Sequence, residues 1–180
     1  MMRHSLIELR FSSLPILTEK SYLRQAASHD RSLAIEPNDP TVWYNRGNSL
    51  LYLEKYPEAI ASYHRAILFE KGSANEIDPK LSAAWGNCGV ALDRLGRYLE
   101  AIDCYREAVN IAPNYSEAWC NWGVALGRLE CYADALACFD RALAIHPDDL
   151  TARTMRNLVL THLDRSNAAI STSPDSVSVL

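Results

Sequence analysis

The chain lacks most of the features that would mark an enzyme, a secreted protein or a nucleic-acid binder. Its five cysteines, Cys88, Cys104, Cys120, Cys131 and Cys138, are odd in number and form no Cys-x-x-Cys pair. That excludes a fully paired disulfide framework and fits reduced thiols used as small apolar packing residues. The histidines His4, His29, His64, His146 and His162 are scattered without metal-ligand spacing, and no Gly-rich phosphate-cradling loop is present, so neither metal nor cofactor is expected. The net charge is −4 with no long run of either sign, which argues against a nucleic-acid or membrane-surface protein. Arg3, Glu8 and Arg10 interrupt the opening MMRHSLIELRFSSLPIL, so neither a signal peptide nor a membrane span is expected, and the cytoplasm is the default location. The paired acids Asp148 and Asp149 stand at an expected helix start, where the helix dipole favours acids without any catalytic role.

What the chain does have is a repeat. Trp85 recurs 34 residues later as Trp119. Over the same interval Gly89 maps to Gly123, Leu92 to Leu126, Tyr98 to Tyr132, Ala101 to Ala135, Tyr105 to Phe139, Ala108 to Ala142 and Pro113 to Pro147. An earlier copy carries Trp43, Gly47, Leu50, Tyr56, Ala59, Tyr63 and Ala66 at the same internal spacings. It lies 42 residues upstream, an interval 8 longer than the period, so an insertion follows it.

Each copy reads as two helices. In the first, Trp85, Cys88, Gly89, Leu92 and Leu95 fall on one packing face, and Leu95-Gly96-Arg97 closes it. In the second, Ala101, Ile102, Tyr105, Ala108 and Val109 do the same. Glycine and alanine are needed where helices approach closely, and the aromatic fills the gap. Pro79, Pro113 and Pro147 are expected to end second helices, with Ser82, Ser116 and Asp149 capping the helices that follow.

This period and order of Trp, Gly, Leu, Tyr, Ala, Tyr/Phe, Ala and Pro resemble the tetratricopeptide repeat. The resemblance implies an all-α fold, a right-handed superhelical solenoid of helix-turn-helix repeats whose concave face binds partner proteins or peptides. The organisation expected is an irregular segment over residues 1–18 and a worn half-repeat or capping helix over 19–38. Full repeats then occupy 39–79 (with the insertion), 80–113 and 114–147, followed by a capping helix over 148–165 and a disordered tail over 166–180. Within the half-repeat, Glu19 to Ile35 reads as helical. The stretch from Lys71 to Ile77 reads as a protruding loop. Arg46 stands where Cys88 and Trp122 stand in the later repeats, so the junction of the first repeat with the segment before it should be polar and loose.

Residues two, five and nine after each Trp share a stripe turned away from the packing face. In the family this stripe lines the groove. The first row is Asn45, Asn87, Asn121 and Met155; the second is Asn48, Val90, Val124 and Leu158; the third is Tyr52, Arg94, Arg128 and His162. The asparagines resemble the asparagine ladder of the peptide-binding repeats in O-linked N-acetylglucosamine transferases, where an amide can donate to and accept from a peptide backbone. The valines and Leu158 add an apolar strip, and the arginines add positive charge. Chaperone-binding repeats hold a C-terminal carboxylate with two asparagines and several basic residues. Asn48 and Asn87 match the asparagines, but Tyr44, Glu117 and Asn121 stand where the basic residues belong.

The reading is therefore a non-enzymatic interaction module, an adaptor, scaffold or assembly factor, whose groove takes an extended protein segment with apolar and acidic side chains. Alternatives are a substrate-presenting or regulatory subunit of a separate enzyme, such as a glycosyltransferase, and a homo-oligomer assembled through the end helices. No nucleic acid, membrane span or cofactor is part of any of these readings.

Overall fold

The computed structural model describes residues 18–70 and 79–171. Among them lie eight helices and no strand: α1 (Glu19–Ile35), α2 (Pro40–Tyr52), α3 (Tyr56–Glu70), α4 (Pro79–Arg94), α5 (Tyr98–Ile111), α6 (Ser116–Arg128), α7 (Tyr132–Ile145) and α8 (Leu150–Ser171). None of these is long and apolar enough to cross a membrane. The expected loop over 71–77 and the ends of the chain lie outside the described residues.

Each helix packs chiefly on its chain neighbours, so the core is built between successive helices, as in a solenoid. In addition α2 meets α4, α4 meets α6 and α6 meets α8, while the second helices of successive repeats stay farther apart. The array therefore curves with α2, α4, α6 and α8 on its inner side.

The helix pairs are set by one contact made three times. A Cβ built on Gly47 would lie 2.5 Å from the Tyr63 ring, one on Gly89 would lie 2.6 Å from the Tyr105 ring, and one on Gly123 would lie 2.8 Å from the Phe139 ring. All three rings are fully buried. Ala59, Ala101 and Ala135 are buried completely beside them, since a larger side chain would separate the helices. Each first helix ends in the same turn, with Glu54, Gly96 or Glu130 in the left-handed region at φ of 58°, 76° and 62°. The N–H groups of Lys55, Arg97 and Cys131 donate back to Leu50, Leu92 and Leu126, which satisfies carbonyls left over at the helix end.

Several boundaries differ from expectation. Leu95 is 40% exposed. Its helix has already closed at Arg94, and counting helical spacing across the turn misplaced it on the packing face. Pro79 opens α4 instead of ending α3, so α4 starts a turn before the equivalent start of α6 and Ser82 lies inside it. Ser116 is no cap either; it opens α6, and its buried hydroxyl donates to the Ala142 carbonyl of α7 at 3.1 Å. Asp149 does cap α8, accepting from the N–H groups of Thr151 and Ala152, and Asp39 caps α2 in the same way. α8 runs on to Ser171, beyond the tail boundary expected after Arg165. The sequence from 166 to 171 contains neither glycine nor proline, and Pro174 is the first breaker after it.

The Trp position has a further use. The indole N–H groups of Trp43 and Trp119 donate to the carbonyls of Pro37 and Pro113, six residues earlier, at 2.7 and 3.0 Å. Arg153, at the equivalent place in α8, donates to Pro147 at 2.8 Å.

The first junction is polar, as Arg46 implied. Its Nε bonds Asp30 of α1 at 2.7 Å and its Nη1 bonds Ser62 of α3 at 2.7 Å, with the guanidinium 5.7 Å from the Trp43 ring centre. Arg156 of α8 pairs with Asp140 of α7 at the equivalent position, so both ends of the array are joined by an Arg–Asp pair. Between them Cys88 and Trp122 occupy the same place and pack in apolar clusters.

Three outcomes are expected. Gly89→Ala should lower stability by about 1–3 kcal/mol in urea denaturation, because the buried Tyr105 ring cannot retreat. Leu92→Asp should unfold the second repeat, whereas Leu95→Asp should leave the circular-dichroism melt nearly unchanged. In hydrogen exchange, α1 should open before α4 and α5, because its polar junction includes an exposed ion pair worth little. Equal protection of α1 and α4 would overturn that ordering.

Candidate functional site

The inner face carries the three rows expected from the sequence, but many of their side chains are already engaged. Asn48 Oδ1 accepts from the Tyr63 hydroxyl at 2.9 Å and from Asn87 Nδ2 at 2.9 Å. Asn87 Nδ2 also reaches the Tyr44 hydroxyl at 3.4 Å. A four-residue network thus ties α2, α3 and α4 together at the floor of the groove. Asn48 and Asn87 are half-buried. No described residue bonds Asn48 Nδ2 or Asn87 Oδ1, so one donor and one acceptor remain for a ligand. Asn87 therefore also holds two repeats together. Asn45 is exposed, and Asn121 is half-buried with bonding of its own.

The third row turns out to be an inter-repeat strut. Tyr52 stacks on Tyr22 with ring centres 4.5 Å apart, and His162 stacks on Tyr132 at 5.4 Å. The Arg128 guanidinium lies 5.4 Å from the Tyr98 ring centre, and its Nη1 donates to that hydroxyl at 3.4 Å. In the remaining register the Arg94 charge acts on Tyr56. Each member thus addresses the Tyr near the start of the preceding second helix. The offset is 30 residues for the Tyr22, Tyr98 and Tyr132 pairs and 38 where the insertion intervenes. That offset was available in the sequence as a second periodic relation.

Val90, Val124 and Met155 are half-buried, while Leu158 is 47% exposed, so the apolar strip widens toward α8. Asp93 is a residue that the three rows omitted. It follows Val90 by one helical turn on the inner stripe, and its side chain is only 10% exposed. Burial raises its carboxyl above the usual range, and the charges of Arg128 and Arg94 pull it back. Arg128 Nε stands 4.0 Å from Asp93 Oδ1, so the positive charge of the third row is partly offset within the groove.

The cysteines carry no chemistry of this site. All five are free thiols, and only Cys131 is exposed. Burial pushes Cys138 up to about 12, and a hydrogen bond with Cys104 together with burial raises Cys88 strongly, so both stay protonated and unreactive.

A solenoid of paired helices with an inner groove, and no cluster of metal-binding side chains among the described residues, defines a helical-repeat protein. Models of the tetratricopeptide repeat match residues 39–114 and 116–149, and the chain belongs to that family. It is similar to the small glutamine-rich tetratricopeptide repeat-containing protein 2 of Mycosarcoma maydis, with 26% identity over 106 residues. That match covers 59% of this chain and 28% of the relative, so the chain corresponds to a minor part of the larger protein. Among solved structures, MamA superposes with a TM-score of 0.73 at 16% identity over 85% of each chain. The first tetratricopeptide domain of Spaghetti (RPAP3), solved bound to an HSP90 peptide, superposes at 0.62 with 23% identity, covering 70% of this chain and 94% of that one.

Replacing Asn87 by Ala should cost about 1–2 kcal/mol of stability even without a ligand, since it strips partners from Asn48 and Tyr44. Asn45→Ala should stay within about 0.5 kcal/mol of the parent. Urea denaturation of the two variants side by side checks the contrast.

Proposed function

We propose that this chain is a non-enzymatic interaction module, acting as an adaptor, scaffold or assembly factor, that holds an extended segment of a partner protein against α2, α4, α6 and α8. The observation that carries the reading is the Tyr44–Asn87–Asn48–Tyr63 network. It fixes two amides in place while leaving an N–H donor and a carbonyl acceptor, the two groups that an extended backbone offers in return. The adjacent strip of Val90, Val124, Met155 and Leu158 supplies apolar contact that backbone bonding alone lacks. Arg94 and Arg128 favour an acidic side chain in the segment, more weakly than their number suggests because Asp93 lies between them.

The RPAP3 domain, solved bound to an HSP90 peptide, supports a peptide-binding role. The segment bound here differs from that peptide in its recognition. Tyr44 is committed to the Asn87 amide, Glu117 is acidic and Asn121 is neutral, so three places that would hold a terminal carboxylate carry no cation. Free thiols fit a reducing compartment such as the cytoplasm.

The test places a photo-crosslinking amino acid at Asn45 on the inner face or at His64 on the outer face. A protein captured through position 45 and not through 64 is the expected partner. Val124→Glu combined with Leu158→Glu should weaken its binding at least tenfold while the melting curve holds. Unchanged affinity in that folded double variant would refute the groove reading.

A further inference from the structure

The groove contains one charged group that the fold does not explain. Asp93 accepts no hydrogen bond from any described residue, and its Oδ1 is sealed from solvent without a partner. Arg128 Nε at 4.0 Å offers charge but lies beyond hydrogen-bond distance, and the guanidinium is occupied by the Tyr98 ring and hydroxyl. Packing makes no demand for an acid at this place, because Leu51, Gly127 and Thr161 stand at the equivalent positions of the other first helices. A desolvated carboxylate with unfilled acceptor capacity is unfavourable in the isolated chain. Its place on the inner stripe, one turn from Val90 and adjacent to Arg94, puts the other oxygen, Oδ2, which is not sealed, beside the proposed ligand path.

We infer that Asp93 is a ligand-binding residue whose carboxylate accepts a hydrogen bond from a neutral donor of the bound segment, a backbone N–H or a side-chain amide or hydroxyl. A cationic donor is disfavoured because Arg94 and Arg128, whose charges both act on Asp93, would repel it. Burial pushes the carboxyl up and the two arginines pull it back toward the ionised form, in which an acceptor makes the stronger bond. Asp93 lies six residues beyond Asn87 on α4, about 9 Å along the helix at 1.5 Å per residue. It therefore gives the segment a second polar anchor, on the far side of the Val90 contact. This assignment rests on the groove reading above.

The experiment selects a phage-displayed library of short random peptides on the full chain and measures the recovered peptides by fluorescence anisotropy. Asp93→Leu, close in shape but unable to accept, should weaken binding tenfold or more and at the same time raise the thermal midpoint, because an unsatisfied carboxylate has been removed. Asp93→Asn, which keeps one carbonyl acceptor, should lose less affinity. N-methylation or donor removal at one peptide position should cost the parent about tenfold and the Asp93→Leu variant nothing. Wild-type affinity in both Asp93 variants, or recovered peptides that require Lys or Arg at that position, would overturn the assignment. If Val124→Glu with Leu158→Glu also bound the peptides normally, or no peptide were recovered, the groove reading would fail and this assignment with it. If that double variant lost binding while Asp93→Leu kept it, only Asp93 would be wrongly assigned.

Discussion

Everything on the inner face depends on the absence of a Cβ at Gly47, Gly89 and Gly123. Each glycine lets an aromatic ring press directly onto a first helix, with a built Cβ meeting the ring at under 3 Å in every case. This fixes the separation of the two helices, buries the ring and sets the phase of the first helix about its axis. It also decides where the ring's far end emerges. In the first repeat the Tyr63 hydroxyl emerges beside Asn48 and orients its amide. In the third repeat Phe139 has no hydroxyl, and Val124 takes the place of Asn48. In the second repeat Val90 takes that place although Tyr105 keeps its hydroxyl, so the apolar strip begins before the ring loses its polar end.

Most of the fold was legible because a solenoid writes its contacts as a short period. Trp, Gly, Tyr and Ala recur at fixed offsets, and each offset corresponds to a neighbouring helix instead of a distant segment. The misreadings fall where that period breaks. Leu95 was placed on the packing face by extending helical spacing through the turn that Gly96 makes at φ 76°. Pro79 was matched to Pro113 and Pro147, although the insertion leaves it opening a helix instead of following one. Ser116 looked like a cap by residue type, but its hydroxyl is buried against α7. These are local choices, settled by tertiary partners that a single stripe of sequence does not display.

The site was legible as rows and illegible as contacts. Asn45, Asn87 and Asn121 are equivalent by spacing, yet one is exposed, one bridges two repeats and one has bonding of a different kind. Which of them is engaged depends on the neighbouring repeat, where Tyr44 and Asn48 stand next to Asn87. The third row was read as groove lining to which two arginines add charge, and its stacking on Tyr22, Tyr98 and Tyr132 comes from a different element of the chain. Asp93 escaped notice because it has no acidic counterpart in the other repeats, and a search for register rewards only what recurs.

The distribution of stiffness along the array follows from the same residues. Nearest-neighbour interfaces add up in a solenoid, so a weak junction loosens what lies beyond it without softening the rest. Beside apolar contacts such as Leu33 and Val159, the two end junctions carry Arg46–Asp30 and Arg156–Asp140, partly exposed pairs each worth about 1 kcal/mol or less. The central junctions bury Cys88 and Trp122 in apolar clusters instead. The Asn48–Asn87 network and the Asp93–Arg128 pair both lie between α2 and α6, inside the stiff part. A segment bound there meets groups already held in place, and less of the interaction is spent on ordering the groove.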